Sequence, residues 1–175
     1  MRDRHDRFDS VEIRALHESE ISALCALARE IWHAHYPGII SVAQIEYMLE
    51  ERYSDTLIRA ELARKDLWWD VLTADNVMTG YASYFLTGSP AELKLDKLYL
   101  HPRAHRQGYG GMLVDHVLSF MAGVGCTRLT LAVNRRNQSA IDAYLKYGFS
   151  ITESSVREIG EGFVMDDYIM LKEIA

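Results

Sequence analysis

Cysteine is scarce, with two in 175 residues. Cys25 and Cys126 sit in Leu24-Cys25-Ala26 and Gly125-Cys126-Thr127, without the spacing of a disulfide framework or a metal site. Buried free thiols in a reducing compartment are expected, which points to the cytoplasm and to no metal. Long hydrophobic runs are missing too. Asp, Glu, Lys or Arg interrupts each apolar stretch well short of the roughly 20 residues that a membrane-spanning helix requires, so no membrane partner is expected. The opening Met1-Arg-Asp-Arg-His-Asp-Arg-Phe8 offers no apolar segment or small-residue cleavage site of a secretory signal. Residues 1–8 read as a disordered tail ahead of one domain over 9–175. Basic charge is not in excess: 19 Lys and Arg stand against 25 Asp and Glu, a formal net charge of −6. That balance argues against nucleic acid as a partner, because phosphate-backbone binding depends on clustered Lys and Arg. Repeats, low-complexity segments and long linkers are also absent. The 49% of hydrophobic residues suffices for one sizeable core, and the length is too short for two ordinary domains.

The pattern along the chain alternates between periods of 2 and 3.6. Val11 to Leu16 reads as a half-buried strand. Glu18 to Tyr36 carries a helical stripe of Ile21, Leu24, Cys25, Leu27, Ala28, Ile31 and Trp32, stopped by Pro37-Gly38. Ser41 caps a second helical region reaching Lys65, with a break at Ser54-Asp55. Strands follow over 67–73 and 77–86, joined as a hairpin by Ala74-Asp75-Asn76. In the segment Glu92 to Leu100 the apolar phase slips between Leu95 and Leu98, which predicts a bulge near Asp96-Lys97. A helix over 109–122 with Met112, Leu113, Val117, Phe120 and Met121 on one face, a strand over 129–133, a helix over 138–147 and strands over 149–158 and 163–173 complete an α/β domain with a mixed sheet.

His101-Pro-Arg-Ala-His-Arg-Gln-Gly-Tyr-Gly-Gly111 lies between a strand and an amphipathic helix. Gly108, Gly110 and Gly111 clear side chains from a point where backbone N–H groups converge and where the helix directs its positive dipole end. A pyrophosphate suits that point, and so does a tight turn with no ligand. The dinucleotide pattern G-x-G-x-x-G is absent, because Leu113 stands at its third glycine, and so is the lysine of a triphosphate loop. Further on, Asn137-Gln-Ser-Ala-Ile-Asp-Ala-Tyr-Leu-Lys-Tyr-Gly-Phe149 is explained by itself as a capped helix with a core stripe of Ala140, Ile141, Tyr144 and Leu145.

Together, the two segments resemble motifs A and B of the GNAT superfamily of N-acetyltransferases. The first matches (Gln or Arg)-x-x-Gly-x-(Gly or Ala) except that His105 replaces the usual Gln or Arg, leaving Arg103 or Arg106 to supply positive charge. The second matches Asn-x-x-Ala-x-x-x-Tyr-x-x-x-Gly-Phe throughout, about 30 residues downstream. The resemblance implies a mixed, mostly antiparallel sheet of six to seven strands with helices on both faces. It also implies a V-shaped splay between the fourth and fifth strands. Acetyl-CoA is the implied cosubstrate, held by His105, Arg106, Gln107, Gly108, Tyr109, Gly110 and Gly111, by backbone groups of Leu98, Tyr99 and Leu100, and by Asn137 and Ala140. Tyr144 is implied as the acid for the departing thiolate; Tyr147, almost a full turn on and outside the motif's defined positions, reads as packing.

An attacking ammonium must first lose a proton. Asp96 is the first candidate base, then Glu92 and, more weakly, His101. His33-Ala-His35 makes a poor metal signature, since residues two apart on a helix diverge. Trp32, Tyr36, Tyr47, Tyr53, Trp69, Asp166 and Asp167 are candidates for an acceptor site where aromatics and carboxylates hold a cation. Element lengths and the ending Asp166-Asp-Tyr-Ile-Met-Leu-Lys172 are similar to bacterial polyamine acetyltransferases. The expected reaction is acetyl transfer to a small-molecule primary amine in a ternary complex. An acyl-CoA sensor without turnover, a longer acyl chain, and a protein N-terminus or lysine as acceptor are the alternatives. A homodimer stays open.

Overall fold

The computed structural model describes residues 10–175, so the expected tail lies outside the described residues. The elements run β1 (Val11–Ala15), α1 (Ile21–His35), α2 (Val42–Arg52), α3 (Asp55–Leu62), β2 (Leu67–Ala74), β3 (Val77–Leu86), β4 (Glu92–Leu100), α4 (Tyr109–Gly123), β5 (Arg128–Asn134), α5 (Gln138–Lys146), β6 (Ser150–Gly160) and β7 (Phe163–Glu173). That order is the expected one. The predicted break between α2 and α3 is a second helix start: the Ser41 and Ser54 hydroxyls accept from the N–H groups of Gln44 and Leu57 at 3.1 and 3.2 Å. Such caps stabilise a helix by about 1 kcal/mol each.

One seven-stranded sheet is ordered β1-β2-β3-β4-β5-β7-β6. Every neighbouring pair is antiparallel except β4 and β5. Alternate residues of β2 supply its two faces. Leu67, Trp69 and Val71 pack with α1, α2 and α3, while Trp68 and Leu72 join the cluster under α4 and α5. Helices therefore cover both faces, as expected. Two helical stripes differ from the expectation by one position. Met112 is 41% exposed and Leu145 46% exposed, because α4 turns Leu113, Val114, Val117 and Met121 inward and α5 turns Ile141 inward. Cys126 is buried, Cys25 is half-buried, and both are free thiols. Among the described residues, no helix is long and apolar enough to cross a membrane.

The predicted slip in β4 is real and shapes the molecule. Ser83 pairs with Lys97 and Tyr84 with Leu95, which leaves Asp96 as the extra residue. Before it, Leu93 and Leu95 face the α4 side; after it, Leu98 and Leu100 do so, and Tyr99 turns to the α1 side. The parallel ladder to β5 ends at the same place, its last rung joining Leu95 to Leu131. A bulge bends and twists its strand, and here the bend carries β4 away from β5.

Candidate active site

Beyond Leu95 the two strands enclose a cleft of about 500 Å³. One end is the turn before α4. Gly108 adopts φ +84, a left-handed conformation that costs an L side chain strain, and Arg106 is left-handed too at φ 61. The first helical N–H bond is Met112 to the Gly108 carbonyl, at 3.1 Å. The amides from Arg106 to Gly111 thus precede the helical ladder, in the nest that favours an anion. A Cβ on Gly111 would lie 3.2 Å from the Tyr147 hydroxyl, so this glycine admits Tyr147, while Gly110 has ordinary room. The cradle therefore suits the diphosphate of CoA. His105 uses Nε2 on the Leu100 carbonyl at 3.0 Å. That carbonyl faces the gap, and strand alternation sends the Leu98 groups the same way and those of Tyr99 toward β3.

The cleft's middle is built by α5, α1 and β4. Leu98, Tyr99, Leu100, His105, Arg106, Gly110, Asn137, Ala140 and Tyr144 all line it. Gln107 instead turns its amide to the Arg103 carbonyl at 3.1 Å, and Tyr109 is buried in the core under α4. The Asn137 carbonyl oxygen caps α5 through Ala140 and meets His35 Nε2 at 3.1 Å, leaving its NH₂ to donate. Burial lowers the His35 pKa against the raising effect of Asn137. Burial pushes the Tyr144 hydroxyl above the usual tyrosine range, with Tyr99 and Tyr147 adding to the shift. This phenol keeps its proton at neutral pH. Arg136, just before α5, donates to the Gly38 and Ile39 carbonyls after α1 at 2.8 and 3.0 Å.

The far end lies under α2 and β7. Trp32 and Tyr36 line the cleft there, with ring centroids 4.6 Å apart, and the Tyr36 and Tyr99 hydroxyls are 2.8 Å apart. Asp96 is present but engaged. Arg52 Nη2 donates to both its oxygens at 3.0 Å, and Lys97 Nζ stands 2.5 Å away. Burial opposes ionisation, but Lys97 and Arg52 outweigh it and hold the carboxyl down to about 2. Such a carboxylate is a weak base. Glu92 sits at the closed end beside Thr87 and Arg128, and His101 faces Glu30 at 3.5 Å; neither lines the cleft.

Of the acceptor candidates, Tyr53 and Trp69 are core residues. Tyr47 donates to the Ile159 carbonyl at 2.6 Å. Asp166 pairs with Arg135 at 3.5 Å outside the cleft, whereas Asp167 lines it. Arg52, Lys97, His35 and Arg157 also line it and escaped the sequence reading. Two of them left a signal. Arg52 continues the Ile45, Met48, Leu49 stripe, and Lys97 falls on the inward phase once the slip is applied. Its ammonium lies 4.8 Å from the centroid of the Trp69 ring. Among the described residues, no cluster of three or more His, Cys, Asp or Glu could hold a metal ion.

Residues 25–149 match the acetyltransferase (GNAT) family. A spermidine N(1)-acetyltransferase of Thermoplasma acidophilum is 30% identical over 90% of this chain and 96% of its own length. A peptidyl-lysine N-acetyltransferase of Salmonella typhimurium is 31% identical over 87% of this chain and 93% of its own. The crystal structure of the PaiA N-acetyltransferase from Thermoplasma acidophilum in complex with coenzyme A superposes with a TM-score of 0.82 and 28% identity, over 94% of this chain and 99% of that one. With the glycine cradle, the splayed strands and these likenesses in hand, the chain belongs to the acetyltransferase (GNAT) family and is an acetyl-CoA-dependent N-acetyltransferase.

Proposed function

We propose that the acceptor is the primary amine of a small molecule, a polyamine in particular, and that it attacks directly within a ternary complex. The observation that carries this reading is one cleft lined by the Tyr144 phenol, the Tyr36 ring and the freed edge of β4. Bound acetyl-CoA supplies an electrophilic thioester carbonyl. Amides of residues 106 to 111 hold the diphosphate, and the Asn137 NH₂ and the gap-facing groups of Leu98 and Leu100 hold the pantetheine arm. The backbone N–H groups of β4 beyond Leu95, released from the β5 ladder, supply a donor for the charge that develops on the thioester oxygen. Tyr144 donates its proton to the departing sulfur. Tyr36 supplies the aromatic wall for an aliphatic ammonium, with Trp32 buried behind it.

The spermidine-acetylating relative supports the polyamine class. A protein lysine presents the same ammonium, and the peptidyl-lysine relative supports that second reading. A panel of polyamines, monoamines, amino acids and lysine peptides, followed by release of free CoA thiol, tests both. Saturable turnover of a polyamine with none on peptides is expected, and the reverse result selects the protein acceptor. Tight acetyl-CoA binding without turnover on any amine would leave a sensor.

A further inference from the structure

Two carboxylates line the cleft, those of Asp96 and Asp167, and only Asp96 is neutralised by cations in contact. Asp167 stands on β7, next to the edge strand, opposite Asn134 of β5 and Ser155 of β6. It is 5% exposed, and its Oδ1 is buried without a hydrogen-bond partner among the described residues. Burying a polar atom without a partner is costly, and an ionised one more so. An orphan of this kind on the wall of a substrate cleft marks the place where a ligand donor belongs. An ammonium supplies both the donor and the opposite charge.

We infer that Asp167 binds the acceptor's ammonium and takes its proton, as the base of the reaction, while Asp96 fastens Arg52 and Lys97 in place. The inference rests on the amine-acetylation reading above. Asp167 removes one proton from the ammonium and becomes a neutral carboxyl. The freed amine forms the C–N bond to the acetyl carbon as the C–S bond breaks. Tyr144 protonates the departing sulfur, and the extra proton on the new amide nitrogen restores the phenol. The Asp167 proton then passes to water, so the net products are amide, CoA thiol and one proton. Burial raises the Asp167 pKa, and Asp166 on β7 adds to the rise; Arg157 of β6, Arg52 of α2 and Lys94 of β4 oppose it. A base shifted upward accepts protons better near neutral pH. The neutral amide product no longer attracts this site, which favours its release.

The test compares two nucleophiles in wild type and Asp167→Asn: an alkylamine, charged at pH 7, and an alkyl hydrazide, uncharged there. The variant should lose about 100-fold or more in kcat/KM for the alkylamine, the range expected for a lost general base, and less than about 5-fold for the hydrazide. Its acetyl-CoA Kd should stay within about 2-fold of wild type. Equal losses for both nucleophiles, or none, overturn the role. A measurement on wild type holding CoA guards against a folding defect: an alkylammonium should bind about 10-fold tighter than the alcohol of equal length, and equal affinities also overturn the role. Active wild type with an equally active variant sinks this inference alone. Wild type that binds acetyl-CoA and acetylates no amine sinks the amine reading with it.

Discussion

Asp96→Asn separates a structural ion pair from a catalytic base. In the native protein the Asp96 carboxylate lies between Arg52, 3.0 Å from each oxygen, and Lys97 at 2.5 Å. The Lys97 side chain is only 4% exposed. The variant leaves two cations facing each other beside Trp69 and Tyr53, and removal of one partner from a buried pair costs about 3–5 kcal/mol. Asp96 and Arg52 keep 24% and 27% of their side chains exposed, so solvent screening trims this to about 2–4 kcal/mol. For a chain of this length that is a fall in Tm of about 5–15 °C. The pH dependence has a definite sign. The folded carboxyl titrates at about 2 and an unfolded aspartate near about 3.9, so the unfolded state binds more protons between those values. The stabilisation is complete above about pH 5 and fades as pH falls toward about 2. Calorimetric scans of wild type and variant from pH 3 to pH 8 should show a wide gap in Tm at neutral pH that narrows in acid. Lys97→Met, which leaves Asp96 its Arg52 partner, should cost less. An Asp96→Asn protein that melts within about 2 °C of wild type at pH 7 yet loses its turnover would refute the structural role and return Asp96 to the chemistry.

Tyr144→Phe should lower kcat by about 100-fold or more while the Kd for acetyl-CoA stays near the wild-type value; an unchanged kcat removes the phenol from proton donation. Gly108→Ala places a Cβ on a residue at φ +84, which costs about 1–2 kcal/mol and should weaken CoA binding measured by calorimetry; full affinity would mean that the turn does not hold the diphosphate. Asp167→Asn should raise Tm at pH 7, by about 1 kcal/mol of stability. Because the folded Asp167 carboxyl titrates above the unfolded range, its burial penalty is present at neutral pH and absent below about pH 4. The gain should therefore vanish in acid melts, and a variant less stable than wild type at pH 7 would show that Asp167 is satisfied in the fold.

Local signals in the chain reached far. The serine caps of α2 and α3, the Asn137 cap of α5 and the glycine turn before α4 are all short-range chemistry, written within four residues. The phase slip after Leu95 located the bulge, and the bulge marks where β4 leaves β5. Side-chain pairing across the sheet was not legible. Asp96 reads as a free carboxylate until Arg52, 44 residues earlier, is seen to reach it. Asp166 and Asp167 look alike as neighbours in the chain, and strand alternation alone could not say which face was the cleft. Met112 and Leu145 are apolar yet exposed, because the neighbours that α4 and α5 pack against, and not hydrophobicity alone, define the buried face.

Sequence by itself determined the elements, their order, the glycine turn before α4 and the likeness to the acetyltransferase family, because each depends on spacing between near neighbours. Only the tertiary structure decided which carboxylate is bound up and which stands unanswered. Charge state depends on what lies within a few ångströms in space, and Arg52, Lys97 and Asp167 reach the cleft on three different elements that chain order keeps apart.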